Sequence, residues 1–136
     1  VWGEANRTVY EPRGITAVIA PWNFPLAISC GMVSAALAAG NAVLYKPSEQ
    51  TTAIGRVLYD ALIEAGVPKD VLHFLPGEGR VVGAAMVQHP EVAVVAFTGS
   101  KEVGLLLYEQ AGKTLQSQPQ LKKCVIEMGG KNAIIV

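Results

Sequence analysis

Charge is scarce in this chain. Asp, Glu, Lys and Arg make up 16% of its 136 residues, and 11 acidic against 11 basic side chains leave a net charge of zero. That leaves no basic excess for a nucleic acid or an anionic membrane surface. Cysteine is scarcer still. Cys30 and Cys124 stand far apart and make neither a disulfide framework nor a metal-ligand set. A reducing compartment, the cytoplasm, is the simpler expectation. Cys30 falls in an apolar helical stretch, where an inert buried thiol is usual. Cys124 follows Lys122 and Lys123, whose charges would depress its pKa. The start at Val1 has neither an initiator Met nor a secretion signal, so the chain is expected to be an internal piece of a longer one. Internal repeats and low-complexity tracts are missing as well.

Apolar side chains are abundant, at 51% of the residues. The length suffices for one domain with a sizeable core. This apolar share is high for a free-standing domain and points to packing against more protein, a partner domain or another subunit. Residues 15–45 carry no charge at all, and about 20 apolar residues can span a membrane. But Pro21, Asn23, Pro25, Gly31, Gly40 and Asn41 interrupt the run, and its period changes from strand-like to helix-like. A buried strand–turn–helix–strand unit accounts for it better.

Apolar runs at 14–20, 42–45, 71–75, 92–97 and from 125 predict strands, and a further apolar run covers 133–136. Helices are expected between them. Residues 26–39 are apolar nearly all round, which suggests a helix covered on more than one side and ended by Gly40. Residues 51–65 are amphipathic, with Ile54, Leu58, Ala61, Leu62 and Ala65 as the apolar stripe and Arg56, Asp60 and Glu64 opposite. Two more helices are expected, from about 80 to 88 and, capped by Ser100, to about 111. Strands alternating with helices imply right-handed crossovers and a parallel α/β sheet of the Rossmann-like kind. Ligands bind such sheets at the carboxyl ends of the strands.

The residues just past each strand are therefore the informative ones. Two prolines bracket Trp22-Asn23-Phe24, fixing φ and removing two backbone donors, so the turn is either a packing corner or a mount for the Asn23 amide. Lys46 and Glu49 make a surface ion pair or grip a ligand. Gly77-Glu78-Gly79-Arg80-Val81-Val82-Gly83 imitates a dinucleotide fingerprint, but three residues instead of two precede its last glycine. Thr98-Gly99-Ser100 is a plain N-cap or a phosphate seat at a helix N-terminus. Glu127 is a solvated turn charge or a base.

In this order, "PWNFP", "KPSE", "GEGRVVG", "FTGS" and "EMGGK" resemble the NAD(P)-dependent aldehyde dehydrogenase superfamily over nearly the whole chain. The resemblance implies that 1–136 is part of the NAD-binding domain and that the catalytic-cysteine domain lies beyond the C-terminus. It implies NAD as cofactor, with NADP second, and an aldehyde as substrate. Asn23 then resembles the oxyanion-hole donor and Glu127 the general base of thioester hydrolysis. Lys46 and Glu49 resemble the adenosine-ribose pair, and Gly79 and Gly83 the close-approach glycines. Ser100 resembles the pyrophosphate ligand. Ile19, Ala20, Pro21, Trp22, Phe97, Thr98 and Gly99 line the same cleft, and Met128 and Gly129 meet the nicotinamide. Met128 stands where the family most often has Leu. "IEMGGK" and the approach "GKTLQSQPQLKKCV" resemble more closely the L-glutamate γ-semialdehyde dehydrogenase family, which also occurs fused behind a proline dehydrogenase domain. The partners so implied are the rest of the chain, such a domain, and further copies in a homo-oligomer. The alternatives are another aldehyde dehydrogenase, an acylating or reducing relative, and a non-catalytic nucleotide-binding module.

Overall fold

The computed structural model describes residues 3–130 and 133–135. Five strands, β1 (Ile15–Ile19), β2 (Ala42–Lys46), β3 (Leu72–Phe74), β4 (Val92–Gly99) and β5 (Lys123–Met128), form one wholly parallel sheet in the order β3-β2-β1-β4-β5. The chain builds outward from β1 to β3 and then jumps back across β1 to add β4 and β5. The strand order thus reverses between β1 and β4, which opens a crevice at their carboxyl ends.

Four helices make the crossovers: α1 (Ala27–Ala38), α2 (Thr52–Glu64), α3 (Ala84–Gln88) and α4 (Lys101–Gly112). Strand alternation gives the sheet two apolar faces. Val18, Val43, Tyr45 and Leu72 form one core with Val33 of α1 and Leu58 of α2. Ala17, Ile19, Val92, Val95 and Phe97 form the other with Met86 and Val87 of α3 and Leu107 and Ala111 of α4.

Local chemistry fixes the ends. Gly40 adopts φ +81, and its N–H and that of Asn41 return to the carbonyls of Leu37 and Ala36, which closes α1 in a Schellman motif. The Asn41 side chain accepts from the N–H groups of Arg13 (2.8 Å) and Gly14 (3.1 Å) and donates to Ala36 O, tying the start of β1 to the end of α1.

The structure departs from the sequence expectations in several places. In α2 the inward face is Gly55, Leu58, Tyr59 and Leu62, whereas Ile54, Ala61 and Ala65 are exposed. Gly55 sits inward because a Cβ there would lie 2.6 Å from Pro47 Cβ, so only a glycine lets the helix come this close. In α1 only Ser29 and Val33 are fully buried, and none of the other described residues covers the side facing away from the sheet. The helix expected from residue 80 begins as a wider π turn at Gly79–Gly83, where the N–H of Ala84 reaches back five residues to Gly79 O. β4 runs on to Gly99, and β5 starts two residues early, because Lys123 and Cys124 pair with Val94 and Val95. Residues 133–135 form no regular element, and Val136 and Lys131 lie outside the described residues.

Candidate functional site

A cleft of about 600 Å³ opens at the β1/β4 switch point. That is within the range of small-molecule and cofactor sites. Ala20, Pro21, Trp22 and Asn23 after β1, Lys46 and Glu49 after β2, Phe97, Thr98, Gly99 and Ser100 at the end of β4, and Met128 and Gly129 at the end of β5 all line it. Twelve of the residues singled out in the sequence are thus brought to one hollow. Ser48 and Val103 line it too and were missed. Ser48 lies inside the KPSE stretch, and Val103 stands three residues beyond the cap of α4, where a helical turn faces the same way.

Four expected residues do not line the cleft. Ile19 is buried beneath it, and its Cδ1 lies 3.8 Å from the position a Cβ on Gly83 would take. Gly79 is held at the cleft's edge through Glu49, whose Oε1 accepts its N–H at 2.5 Å. Glu127 is exposed on β5 opposite Thr98. Its neighbour Ile126 and cleft-lining Met128 turn toward Gly104 of α4, so strand alternation sets Glu127 on the face of the sheet that α1 occupies.

Lys46 is no surface charge. It is only 3% exposed, its stem runs beside Gly83, and its Nζ donates to Pro47 O at 3.0 Å. Burial pulls its pKa down, and the nearby Glu49 carboxylate offsets part of that. The two make no direct ion pair among the described residues, so of the two readings the surface ion pair does not hold, and each side chain has its own tether.

Ser100 is the N-cap of α4. Its Oγ accepts from Val103 N at 3.2 Å, which leaves the hydroxyl proton free for an anion at the helix N-terminus. The ring of Phe97 folds back over Gly99, where a Cβ would lie 2.5 Å from Cζ, so the backbone of Gly99 is what faces the hollow.

Asn23 sits in the bend between β1 and α1. The flanking rings do not cage it, since Trp22 is 62% and Phe24 73% exposed. Pro21 is buried, Ala20 N donates to Lys46 O (3.0 Å), and Phe24 adopts φ +50 before its carbonyl receives Ile28 N. A left-handed, non-glycine residue is strained and persists only where its surroundings hold it. Asn23 is therefore positioned by backbone.

Neither cysteine lines the cleft. Cys30 is half-buried on α1, and burial pushes the Cys124 thiol up rather than down, with Lys122 offsetting only part of the rise. The depressed pKa expected for Cys124 does not hold, because it packs into the core beside α4. No group of three metal-ligating side chains occurs among the described residues, and no helix there is long and apolar enough to cross a membrane.

A parallel sheet with a polar-rimmed cleft at its switch point and a capped helix N-terminus on the rim defines a nucleotide-binding α/β domain. The chain matches the aldehyde dehydrogenase family over residues 2–136, and it belongs to that family. It is 47% identical over 134 residues to a 1-pyrroline-5-carboxylate dehydrogenase of Geobacillus thermodenitrificans, covering 98% of this chain and 26% of that relative. Among solved structures, it is similar to proline utilization A (PutA) from Bdellovibrio bacteriovorus, with a TM-score of 0.88 and 52% identity over 90% of this chain and 13% of that one. It is also similar to a 1-pyrroline-5-carboxylate dehydrogenase from Thermus with bound NAD, with a TM-score of 0.86 and 47% identity over 88% and 23% of the two chains. The chain spans about a quarter of the length of the dehydrogenase relative it matches.

Proposed function

We propose that this chain is part of the NAD-binding domain of an aldehyde dehydrogenase that oxidises L-glutamate 5-semialdehyde to L-glutamate. The observation that carries the reading is the single cleft at the β1/β4 switch point, which gathers Asn23, Lys46, Glu49 and Ser100 from three different strand ends. The similar dehydrogenases are named for 1-pyrroline-5-carboxylate, and the IEMGGK resemblance supports L-glutamate 5-semialdehyde as the aldehyde.

The residues present fit a dinucleotide. The α4 N-terminus and the Ser100 hydroxyl suit its pyrophosphate. Lys46 offers a buried ammonium and Glu49 an acceptor for ribose hydroxyls. When bound, the nicotinamide accepts the hydride that leaves the substrate carbon. The Asn23 amide N–H donates to the aldehyde oxygen as it gains charge, and one such donor is typically worth about 3–4 kcal/mol in the transition state. Glu127 takes a proton from the water that releases the acid. The nucleophilic thiol belongs to residues outside these 136, in keeping with two cysteines that stand away from the cleft. NAD is preferred over NADP. A 2′-phosphate at about 4 Å from the Glu49 carboxylate costs about 1 kcal/mol per charge in bulk water and about 4 kcal/mol at an effective dielectric of 20. The uncovered side of α1 suits the rest of the chain or a second copy, and a proline dehydrogenase domain is a further partner suggested by the PutA likeness.

The test is reduction of NAD by the full-length protein given L-glutamate 5-semialdehyde. The wild type turns over steadily, whereas Glu127→Gln gives one burst of reduced cofactor and then stalls, because hydride transfer precedes the water step. No reduction by the wild type, or full steady turnover by Glu127→Gln, refutes the assignment.

A further inference from the structure

We propose that the backbone N–H of Gly79 is a latch that fixes the Glu49 carboxylate and thereby decides between a ribose 2′-hydroxyl and a 2′-phosphate. The inference rests on the reading of the cleft as a dinucleotide site. It starts from one contact: Glu49 Oε1 accepts Gly79 N–H at 2.5 Å, joining the turn after β2 to the glycine-rich turn after β3. Lys46, the neighbouring cation, makes no ion pair with Glu49 among the described residues, its Nζ donating to Pro47 O at 3.0 Å.

The backbone beneath Glu49 is rigid as well. Pro47 is fully buried, Thr51 N returns to Ser48 O at 3.1 Å, and Thr52 Oγ1 donates to the carbonyls of Ser48 (3.2 Å) and Glu49 (3.1 Å). With its backbone pinned and one oxygen tied, the side chain keeps a single arrangement, and Oε2 remains as a placed acceptor. A 2′-hydroxyl needs such an acceptor. A 2′-phosphate needs the carboxylate to swing aside. An untied glutamate on an exposed turn does this by changing rotamer, but a latched one must first break a charge-assisted hydrogen bond and strand a backbone donor.

Gly79→Pro removes the N–H with little demand on the backbone. Residue 79 opens a helical turn, where proline is favoured, and Glu78 at φ −64, ψ 131 already has the conformation a residue before proline prefers. The experiment compares kcat/KM for NAD and NADP, with one aldehyde, in the full-length wild type, Gly79→Pro, Glu49→Ala and the double variant. Loss of a hydrogen bond to a charged group is expected to lower the NAD-to-NADP ratio by about tenfold in Gly79→Pro. In the Glu49→Ala background the same substitution should leave the ratio where it is, since no carboxylate remains to be held. An unchanged ratio in folded Gly79→Pro, or an equal fall in both backgrounds, overturns the latch.

Amide hydrogen exchange of the full-length protein reads the contact without relying on the proline variant. Exchange at Gly79 should be faster in Glu49→Ala than in the wild type, and equal rates overturn the proposal. A wild type that reduces neither dinucleotide would instead refute the nucleotide reading of the cleft, and the specificity role with it.

Discussion

Replacing Gly55 by alanine sets two known effects against each other at one atom. In the interior of α2 an alanine is favoured over glycine by up to about 1 kcal/mol, because it loses less conformational freedom on folding. Against that, the new Cβ would lie 2.6 Å from Pro47 Cβ, 3.0 Å from Pro47 Cγ and 2.9 Å from the Tyr45 hydroxyl. Neither neighbour yields easily. Pro47 is a rigid ring, and both it and Tyr45 are fully buried. Overpacking of this kind costs about 1–3 kcal/mol, so Gly55→Ala should destabilise the chain by a net of about 1–2 kcal/mol. Gly31 in α1 is the control, because a Cβ there meets nothing within 4 Å. Gly31→Ala should show the propensity gain alone and stabilise by up to about 1 kcal/mol. Tyr45→Phe added to Gly55→Ala should recover part of the loss. The Tyr45 hydroxyl is buried without a partner in hydrogen-bond geometry; Ser29 lies close enough to temper the rise that burial imposes on its pKa, but no closer. Urea denaturation of the four proteins under identical conditions gives the comparison, with equal m-values as the check on two-state behaviour. If Gly55→Ala proves as stable as Gly31→Ala, the close packing of α2 on Pro47 is not real, and the account of why this helix turns Gly55 inward fails.

Asn23→Ala in the full-length protein should lower kcat by about 10²–10³ while NAD affinity stays near that of the wild type, as for loss of an oxyanion donor. A near-normal kcat would remove Asn23 from the chemistry. Lys46→Met should stabilise the fold at neutral pH while weakening dinucleotide binding, since a buried ammonium is retained at a cost to stability. The sign with pH follows from the direction of its shift. The folded-state pKa lies below the unfolded one, so the wild type carries its penalty while the group is protonated in both states. The penalty is relieved as pH rises through the folded pKa. The stability advantage of Lys46→Met over wild type should therefore shrink toward alkaline pH, and an advantage that grows there would show the assignment of the shift to be wrong.

The strand ends were legible because two general rules bear on them. Period and breaker residues locate the strands, and parallel sheets bind ligands where strands stop. Asn23, Lys46, Glu49, Ser100 and Met128 could therefore be picked from sequence and fall together in one cleft. What sequence could not supply was depth and partner. A lysine beside a proline reads as surface, yet Lys46 is buried, because β2 is an interior strand whose last residue still lies between β1 and the glycine-rich turn. The inward face of α2 was misread for a related reason. Hydropathy ranks Ile54 above Gly55, but a close helix–strand approach selects for the absence of a side chain, which no hydrophobic pattern records. In α1 the pattern had no preferred face to offer, and only the sheet decides that Ser29 and Val33 turn inward.

One-residue alternation on β5 bears on the order of the proposed chemistry. Met128 lines the cleft, whereas Glu127 is exposed and outside its lining, so two adjacent residues present themselves on opposite faces of the strand. A base among the groups that line the cofactor cleft would meet the bound dinucleotide throughout, and its charge would bear on hydride transfer. A base outside the cleft lining, as proposed for Glu127, is free of that contact. The two proposed half-reactions are separable by mutation because hydride transfer precedes the water step, so Glu127→Gln is expected to spare the burst.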